Sequence, residues 1–203
     1  MGPKNFIVAI VLAIALSAGI FLATRLQTPA ALNSAFVLPA PAPLPGFSLV
    51  DQAGNTITGD SFRDHWDLLF FGFTHCPDIC PATLQVLAAA RSQLAAAGQA
   101  PLPRIVLVSV DPERDTPELM GKYVDYFGDG NLGITGSIDE LKKLTSGLGI
   151  YFEKQPGQGE DYAVDHSAAV LLINPDGDFH ALFSSPHTIE NYVHDVPLIM
   201  ERQ

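Results

Sequence analysis

The fold assignment starts from residues 68–84, which read LLFFGFTHCPDICPATL. Residues 68–73 form a continuous apolar run, which is typical of a strand buried on both faces of a sheet. Residues 82–97 are rich in alanine and carry leucines at helical spacing, and Gly98 follows them, as expected at the end of a helix. The two cysteines of this stretch therefore lie between a buried strand and the start of a helix.

The flanking sequence continues this alternation of strands and helices. A second apolar run at residues 105–110 predicts another buried strand, and hairpins are predicted over residues 47–58 and 169–183. The last helix should end or kink at Pro197. Helices are also predicted to begin at Thr116, at Ser137 with Glu140 completing a capping box, and at Thr188. The pattern predicts an α/β layer fold and is compatible with a thioredoxin-like sheet.

Charge and length limit the possible functions. The chain has 203 residues and a formal net charge of −11, and all 22 acidic residues lie at position 51 or later. This charge would repel a phosphate backbone, so no nucleic-acid partner is expected. Residues 46–203 are enough to bury roughly 68–70% of their unfolded surface in one core, so we predict one globular domain there.

The N-terminal region has the composition of a membrane anchor. Residues 5–24 carry no charged side chain, and a helix of that length spans about 30 Å, the thickness of a bilayer core. We predict a transmembrane helix within an anchor at residues 1–25. A cleaved signal peptide is the alternative, but its apolar region usually has only about 7–15 residues. The weak excess of positive charge before the apolar run favours a cytoplasmic N-terminus.

A short segment rich in proline and alanine follows the predicted anchor. Prolines at 39, 41, 43 and 45 favour an extended polyproline conformation. We therefore predict that residues 26–45 are a linker that separates the anchor from the globular domain.

Cys76 and Cys80 are the two cysteines of the chain. Their spacing places both sulfurs on one face of a helical first turn, where the helix N-terminus stabilises a thiolate. A pair of thiolates is a soft donor set that selects Cu(I) or Zn over Mg or Ca. A structural disulfide is the alternative, but closing so short a loop constrains little of the unfolded chain.

A third ligand is expected from one of six histidines. His166 is the best placed, because it precedes a predicted buried strand whose preceding loop, in a thioredoxin-like sheet, lies beside the first helix. Thioredoxin-type oxidoreductases usually have a proline there, whereas this chain has a histidine. Two sulfurs and an imidazole suit Cu(I), or Cu(II) with an added oxygen ligand. His75 is a second candidate, and the remaining histidines are expected to be ordinary surface or partly buried groups, namely His65, His180, His187 and His194.

The chain contains three motifs in this order: FGFTHCPDICPATL, VSVDPERDTPE and the DHS loop. Together they resemble the motifs of the Sco (SenC) family of membrane-tethered copper chaperones. The resemblance implies a thioredoxin-like domain at residues 46–203 that binds copper through Cys76, Cys80 and His166. It implies a chaperone without enzymatic activity that assists assembly of the dicopper centre of cytochrome c oxidase. The partners it implies are the copper-bearing subunit of that oxidase and a thioredoxin-like reductant. We expect a single-pass protein of the cell inner membrane with its domain in the periplasm.

Other functions remain open for the same cysteines. A thiol–disulfide oxidoreductase that reduces the cysteines of the oxidase subunit is the main alternative, although three residues separate the cysteines here instead of two. A peroxiredoxin-like peroxidase would need an arginine beside one cysteine, and neither Arg63 nor Arg91 is evidently placed for this. We expect Asp78 to cap the helix. The Asp111–Asp115 loop could serve either to start the next helix or to dock a partner.

Overall fold

The computed structural model of the chain describes residues 10–20, 30–157 and 162–202. The chain forms two compact units, Met1–Ala31 and Leu32–Gln203. Residues 10–20 are helical, and the rest of the predicted anchor at residues 1–25 lies outside the described residues. Within the described ranges, no helix is both long enough and apolar enough to cross a bilayer.

The second unit contains ten strands, four α-helices and a short 3-10 helix (Gly59–Phe62) among its described residues. The strands are β1 (Ala35–Pro43), β2 (Leu49–Asp51), β3 (Thr56–Ile57), β4 (Asp67–Gly72), β5 (Arg104–Ser109), β6 (Leu132–Thr135), β7 (Phe152–Lys154), β8 (Val164–His166), β9 (Val170–Ile173) and β10 (Asp178–Phe183). The helices are α1 (Ile79–Ala96), α2 (Pro117–Asp125), α3 (Ile138–Leu148) and α4 (Ile189–Met200). Eight strands form one mixed sheet in the order β1-β10-β9-β4-β5-β6-β2-β3, and β7 pairs with β8 alone.

The centre of the sheet follows the apolar runs of the sequence. All six residues of β4 are buried, and β4 pairs in parallel with β5 and antiparallel with β9. Such a strand has no polar face because both faces of the sheet are covered. The chain leaves β4 at Gly72 and begins α1 at Ile79, so the intervening loop and the first turn of α1 lie at one end of the sheet.

The proline-rich segment is structured where we predicted a linker. Residues 35–43 of the predicted linker 26–45 form β1, which pairs antiparallel with β10 at the edge of the sheet. The register shifts between Val37 and Ala42. Proline lacks an N–H donor, but an edge strand has one unpaired side and tolerates this loss. The linker prediction was wrong for this segment because alternating prolines suit an edge strand as well as a free tether.

A buried carboxylate on α4 holds the start of β1 in place. The side chain of Asp195 is fully buried and accepts backbone N–H groups from Asn33, Ser34 and Ala35 at 2.7, 2.8 and 2.9 Å. His194 Nδ1 also lies 2.7 Å from this carboxylate. Burial opposes the charged form, but these hydrogen bonds outweigh it and lower the pKa of Asp195 below its usual value of 3.8.

We expect Asp195→Ala to lower the free energy of unfolding by about 3 kcal/mol, because three N–H groups lose a charged acceptor. The lowered pKa means that this contribution is present at neutral pH and is lost as the pH falls below 3.8. Urea unfolding of the full chain, followed by the fluorescence of its one tryptophan, measures the effect. Glu190→Ala, at an exposed position on the same helix, should change stability by about 0.5 kcal/mol or less. Equal losses in the two variants would contradict this role for Asp195.

Three helices begin at the predicted residues. Thr116, Ser137 and Thr188 each accept a backbone N–H from the first turn of their helix. The carboxylate of Glu140 accepts the backbone N–H of Ser48 at 2.8 Å and pairs with Lys143. Glu140 therefore ties α3 to the segment before β2. The prediction that it completes a capping box was wrong, because Ser137 caps the helix but the Glu140 side chain bonds to Ser48 instead.

The last helix does not end at Pro197. It continues to Met200, so of the two predicted outcomes at this proline, an end or a kink, the end does not occur. Val196 and Ile199, on either side of it, are both fully buried, and α4 packs against α1. Burial of this apolar face is what keeps the last turn helical.

β6 and the β7–β8 hairpin were not predicted from the sequence. β6 has four residues and pairs with β5 in parallel and with β2 antiparallel. The strands of the hairpin have three residues each and are too short to produce a clear alternation of polar and apolar side chains. This hairpin carries His166 at the end of β8.

Candidate metal centre

Three separate elements bring Cys76, Cys80 and His166 together. Cys76 lies in the loop after β4, Cys80 is in the first turn of α1, and His166 ends β8. Their two sulfurs and one imidazole nitrogen all lie within 4.8 Å of one another. Among the residues that the structure describes, this is the one group of three or more such side chains able to hold a metal ion.

Cys76 provides a half-buried sulfur at the N-terminus of α1. Its Sγ accepts the backbone N–H of Cys80 at 3.4 Å. The hydrogen bond from the Cys80 thiol, with further ones from His166 and from the backbone at Cys80 and Asp78, outweighs burial and lowers the pKa of Cys76 to about 4. Asp78 occupies the N-cap position but makes no side-chain capping bond, so the prediction that it caps the helix was wrong. The Cys76 sulfur accepts from the helix N-terminus instead.

Cys80 is fully buried next to the Cys76 sulfur. Its hydrogen bond to Cys76, together with burial, raises the pKa of the Cys80 thiol far above its usual value. These opposite shifts favour a thiolate at Cys76 and a thiol at Cys80, and a metal bound by both sulfurs would displace the remaining thiol proton.

Gly72 makes room for the buried sulfur. A Cβ atom at this position would lie 2.9 Å from Cys80 Sγ and 3.2 Å from a methyl carbon of Leu107. Carbon and sulfur cannot approach so closely without displacement of the cysteine side chain. The lack of a side chain at Gly72 therefore allows the Cys80 sulfur to occupy its buried position.

The His166 ring is oriented so that one nitrogen faces the sulfurs. Its Nε2 lies 3.4 Å from Cys80 Sγ, and its Nδ1 lies 3.1 Å from the carbonyl oxygen of Ser167. With its proton on Nδ1, the ring donates to that carbonyl and Nε2 offers a lone pair to a metal ion, whereas with its proton on Nε2 the ring donates to the sulfurs. The rings of Phe70 and Phe73 pack against the imidazole edge-to-face, each with centroids 5.9 Å away.

His75 and the arginines considered above make other contacts. His75 Nδ1 lies 3.1 Å from Thr74 Oγ1 and 3.8 Å from a carboxylate oxygen of the buried Asp115. The ring of His75 therefore contacts Thr74 and is outside the group formed by Cys76, Cys80 and His166. Arg63 pairs with Asp60, and Arg91 donates to the carbonyl of Asp129. These contacts do not support a peroxidase role for either arginine.

The donor set fits one soft metal ion. Metal–sulfur and metal–nitrogen bonds of about 2.0–2.3 Å, as in zinc sites, place two donors of one ion at most about 4.6 Å apart. Donor atoms within 4.8 Å of one another need only small side-chain movements to reach a shared ion. Two thiolates and an imidazole favour Cu(I), Cu(II) or Zn over hard cations.

Several residues that shape the site escaped the sequence analysis. Phe70 and Phe73 were assigned only to a buried strand, and nothing in their spacing connects them to position 166. His187, which was expected to be an ordinary histidine on a helix, precedes α4 and lies with Nε2 2.6 Å from the carbonyl oxygen of Ala168. It thereby holds the loop after His166. The glycine inside the apolar run could have indicated that another group packs closely against position 72.

Comparisons with known proteins agree with this geometry. The sequence profile of the family described as SCO1/SenC matches residues 40–201. A "putative copper-binding protein" of Stutzerimonas stutzeri is 34% identical over 82% of this chain and 81% of its own length. The mouse mitochondrial "Protein SCO2 homolog" is 39% identical over 74% of this chain, which spans 59% of that relative's length.

A solved structure resembles the fold closely. The crystal structure of Arabidopsis thaliana ScoI with copper bound is 34% identical, covers 80% of this chain and 100% of its own, and has a TM-score of 0.74. The predicted α/β thioredoxin-like class is thus confirmed for the globular unit. The profile match and these identities show that the chain belongs to the SCO1/SenC family.

Proposed function

We propose that the chain is a copper metallochaperone, with Cys76, Cys80 and His166 as its copper ligands, that supports assembly of the dicopper centre of cytochrome c oxidase. The observation that carries this proposal is the convergence of two sulfurs and an imidazole nitrogen within 4.8 Å. Copper binding by a family member of the same fold supports the choice of metal.

Copper is the cargo in this proposal, and capture and release proceed by ligand exchange. The Cys76 thiolate, half-exposed beside the helix N-terminus, is available first. Cys80 then binds and gives up its proton to solvent, and His166 Nε2 completes the set. Each of these bonds can be replaced in turn by a donor of the recipient, so transfer needs no free ion. Protons compete for the same donors, and copper affinity falls as the pH falls.

The recipient in this proposal is the copper-bearing subunit of the oxidase, and a thioredoxin-like protein keeps the cysteines reduced. The N-terminal residues 1–25 are the membrane anchor of a single-pass protein of the cell inner membrane, with the globular unit in the periplasm. The connecting linker is shorter than residues 26–45, because β1 begins at Ala35.

A thiol–disulfide oxidoreductase is the second candidate, favoured by one observation. The two cysteines are free, and the thiolate of Cys76, with a pKa of about 4, is a reactive form at neutral pH. In that reaction Cys76 would attack the substrate disulfide and the buried Cys80 would resolve the mixed disulfide, so the burial of Cys80 is compatible with either function.

One experiment distinguishes the two functions. The reduced full chain in detergent is titrated with Cu(I) in competition with a chelator, mixed with a metal-free dicopper-site domain, and assayed separately for insulin reduction. A chaperone binds one copper per chain, transfers it to the acceptor domain, and reduces insulin negligibly. Failure to bind copper with reduced thiols, together with rapid insulin reduction, would overturn the proposal in favour of the oxidoreductase.

A further inference from the structure

The hairpin that carries His166 is attached to the rest of the domain through a small set of contacts. β7 and β8 pair only with each other, in the register Phe152↔His166 and Lys154↔Val164. A two-stranded hairpin of this size is marginally stable alone and needs packing against other elements. Its position therefore depends on what holds it at either end.

At the end opposite His166, Tyr162 is held by the loop that follows β5. Its hydroxyl donates to Asp111 Oδ1 at 2.7 Å, and its carbonyl accepts from Arg114 Nη2 at 3.1 Å. The Arg114 guanidinium carbon lies 3.6 Å from the centroid of the tyrosine ring, and Lys154 Nζ lies 3.9 Å from it. Both cations thus contact the π system of this one ring.

The loop that holds Tyr162 is itself rigidly built. Asp111 is 3% exposed, forms an ion pair with Arg114, and donates its backbone N–H to Ser109 Oγ at 3.0 Å. Ser109 is the last residue of β5, which pairs in parallel with the strand leading to Cys76. The loop therefore fixes Tyr162 to the same end of the sheet as the cysteines.

Arg114 also contacts Phe73, whose ring packs against the imidazole of His166. Its guanidinium carbon is 5.7 Å from the centroid of the Phe73 ring, and the Phe73 ring packs edge-to-face on His166. Arg114 therefore contacts Tyr162 at one end of the hairpin. Through Phe73, which lies in the loop between β4 and α1, it is also linked to His166 at the other end.

We propose that Asp111, Arg114 and Tyr162, here called the Tyr162 clamp, are positioning residues that hold the His166 hairpin beside the two cysteines. This inference rests on the proposed function for its copper readout. It assigns the Asp111–Asp115 loop a role distinct from starting a helix or docking a partner. Without the clamp the hairpin samples positions in which the imidazole is away from the sulfurs, and copper is bound mainly by the cysteines.

Copper affinity in a double-mutant cycle tests the clamp. Tyr162→Ala should lower the affinity of the reduced full chain by about 10–100-fold, as for other residues that orient a ligand. In the His166→Ala background the same change should alter affinity by less than about twofold, because no ligand is left to position. Tyr162→Phe keeps the ring and should retain most of the affinity. Tyr126→Ala, at a tyrosine that is 86% exposed, is the matched control.

A second measurement does not depend on copper. The backbone N–H groups of Gln155 and Ser167 bond to Ala163 and Tyr151, at the two ends of the hairpin. In metal-free Tyr162→Ala these amides should exchange with deuterium at least about tenfold faster, with global unfolding unchanged. Equal losses of affinity in both backgrounds, or unchanged exchange, would overturn the clamp. Absence of copper binding by the wild type with faster exchange in the variant would overturn only the proposed function.

Discussion

Substitution of Cys80 by alanine is expected to lower the Cu(I) affinity of the reduced chain by roughly a thousandfold or more. The variant retains one sulfur and one imidazole, and loss of one of the two charged sulfur donors should cost more than the 10–100-fold that outer-shell changes cost. A thousandfold corresponds to about 4 kcal/mol of binding free energy. Cys76→Ala should have an effect of the same size, because either variant removes half of the sulfur donor set.

His166→Ala should cost less than either cysteine variant. The two thiolates remain together, one in the loop before α1 and one in its first turn, and still bind a soft ion, so we expect a loss of about 10–100-fold for Cu(I). Cu(II) should be affected more, since it prefers a larger coordination number with nitrogen and oxygen donors. The charge-transfer absorption of the Cu(II)–thiolate bonds should shift in His166→Ala.

Controls separate ligand loss from misfolding. His65→Ala removes an exposed histidine that lies beside the Arg63 carbonyl, and it should leave copper affinity unchanged. Circular dichroism and urea unfolding of metal-free Cys80→Ala should resemble the wild type, since little buried volume is removed. Affinity measured by chelator competition is the deciding quantity. A Cys80→Ala chain that binds Cu(I) as tightly as the wild type would remove this sulfur from the site.

The elements predicted correctly are those whose local sequence pattern is explained by their own position in the folded domain. β4 and β5 are apolar runs because both faces of the sheet are covered, and α1 follows β4 directly. The helix starts at Thr116 and Ser137 depend on a hydrogen bond within one turn, so they need no tertiary information. The cysteine pair was identifiable for the same reason, because its two members are four residues apart.

The proposed third ligand could not be identified from local sequence pattern alone. Cys80 and His166 are 86 positions apart in sequence, and their contact at 3.4 Å exists only because β8 ends beside α1. His166 was predicted to be a ligand from the thioredoxin topology and from the resemblance to the family motifs. The short strands that deliver it, β7 and β8, carry no periodic signal of their own.

The elements that were missed depend on partners remote in sequence. β1 contains prolines, which argue against a strand unless the strand lies at an edge, and its edge position is a property of the assembled sheet. In the sequence, Asp195 is one more acidic residue of a predicted helix. In the structure its carboxylate accepts three N–H groups from residues more than 150 positions away. The Tyr162 clamp likewise joins segments that are 48 and 51 residues apart.

Oxidation of Cys76 and Cys80 to a disulfide is expected to abolish copper binding. The disulfide consumes both thiolates, and neither sulfur then carries the charge that binds a soft cation. The bond is within reach, because the sulfurs are free and within 4.8 Å of each other. The Cys76 thiolate, with a pKa of about 4, is the nucleophile at neutral pH. Bound copper should slow the oxidation, because it engages both sulfurs.

The measurement compares the full chain before and after treatment with diamide, which accepts the two electrons and two protons of the dithiol. Oxidised chain should lose both titratable thiols, gain no intermolecular crosslink on a non-reducing gel, and retain no copper after gel filtration. Reduction should restore one copper per chain. His166→Ala keeps both cysteines and should still lose its remaining copper on oxidation, whereas Cys76→Ala cannot form the internal disulfide. Oxidised wild-type chain that holds copper as tightly as the reduced form would show that the sulfurs are not the ligands.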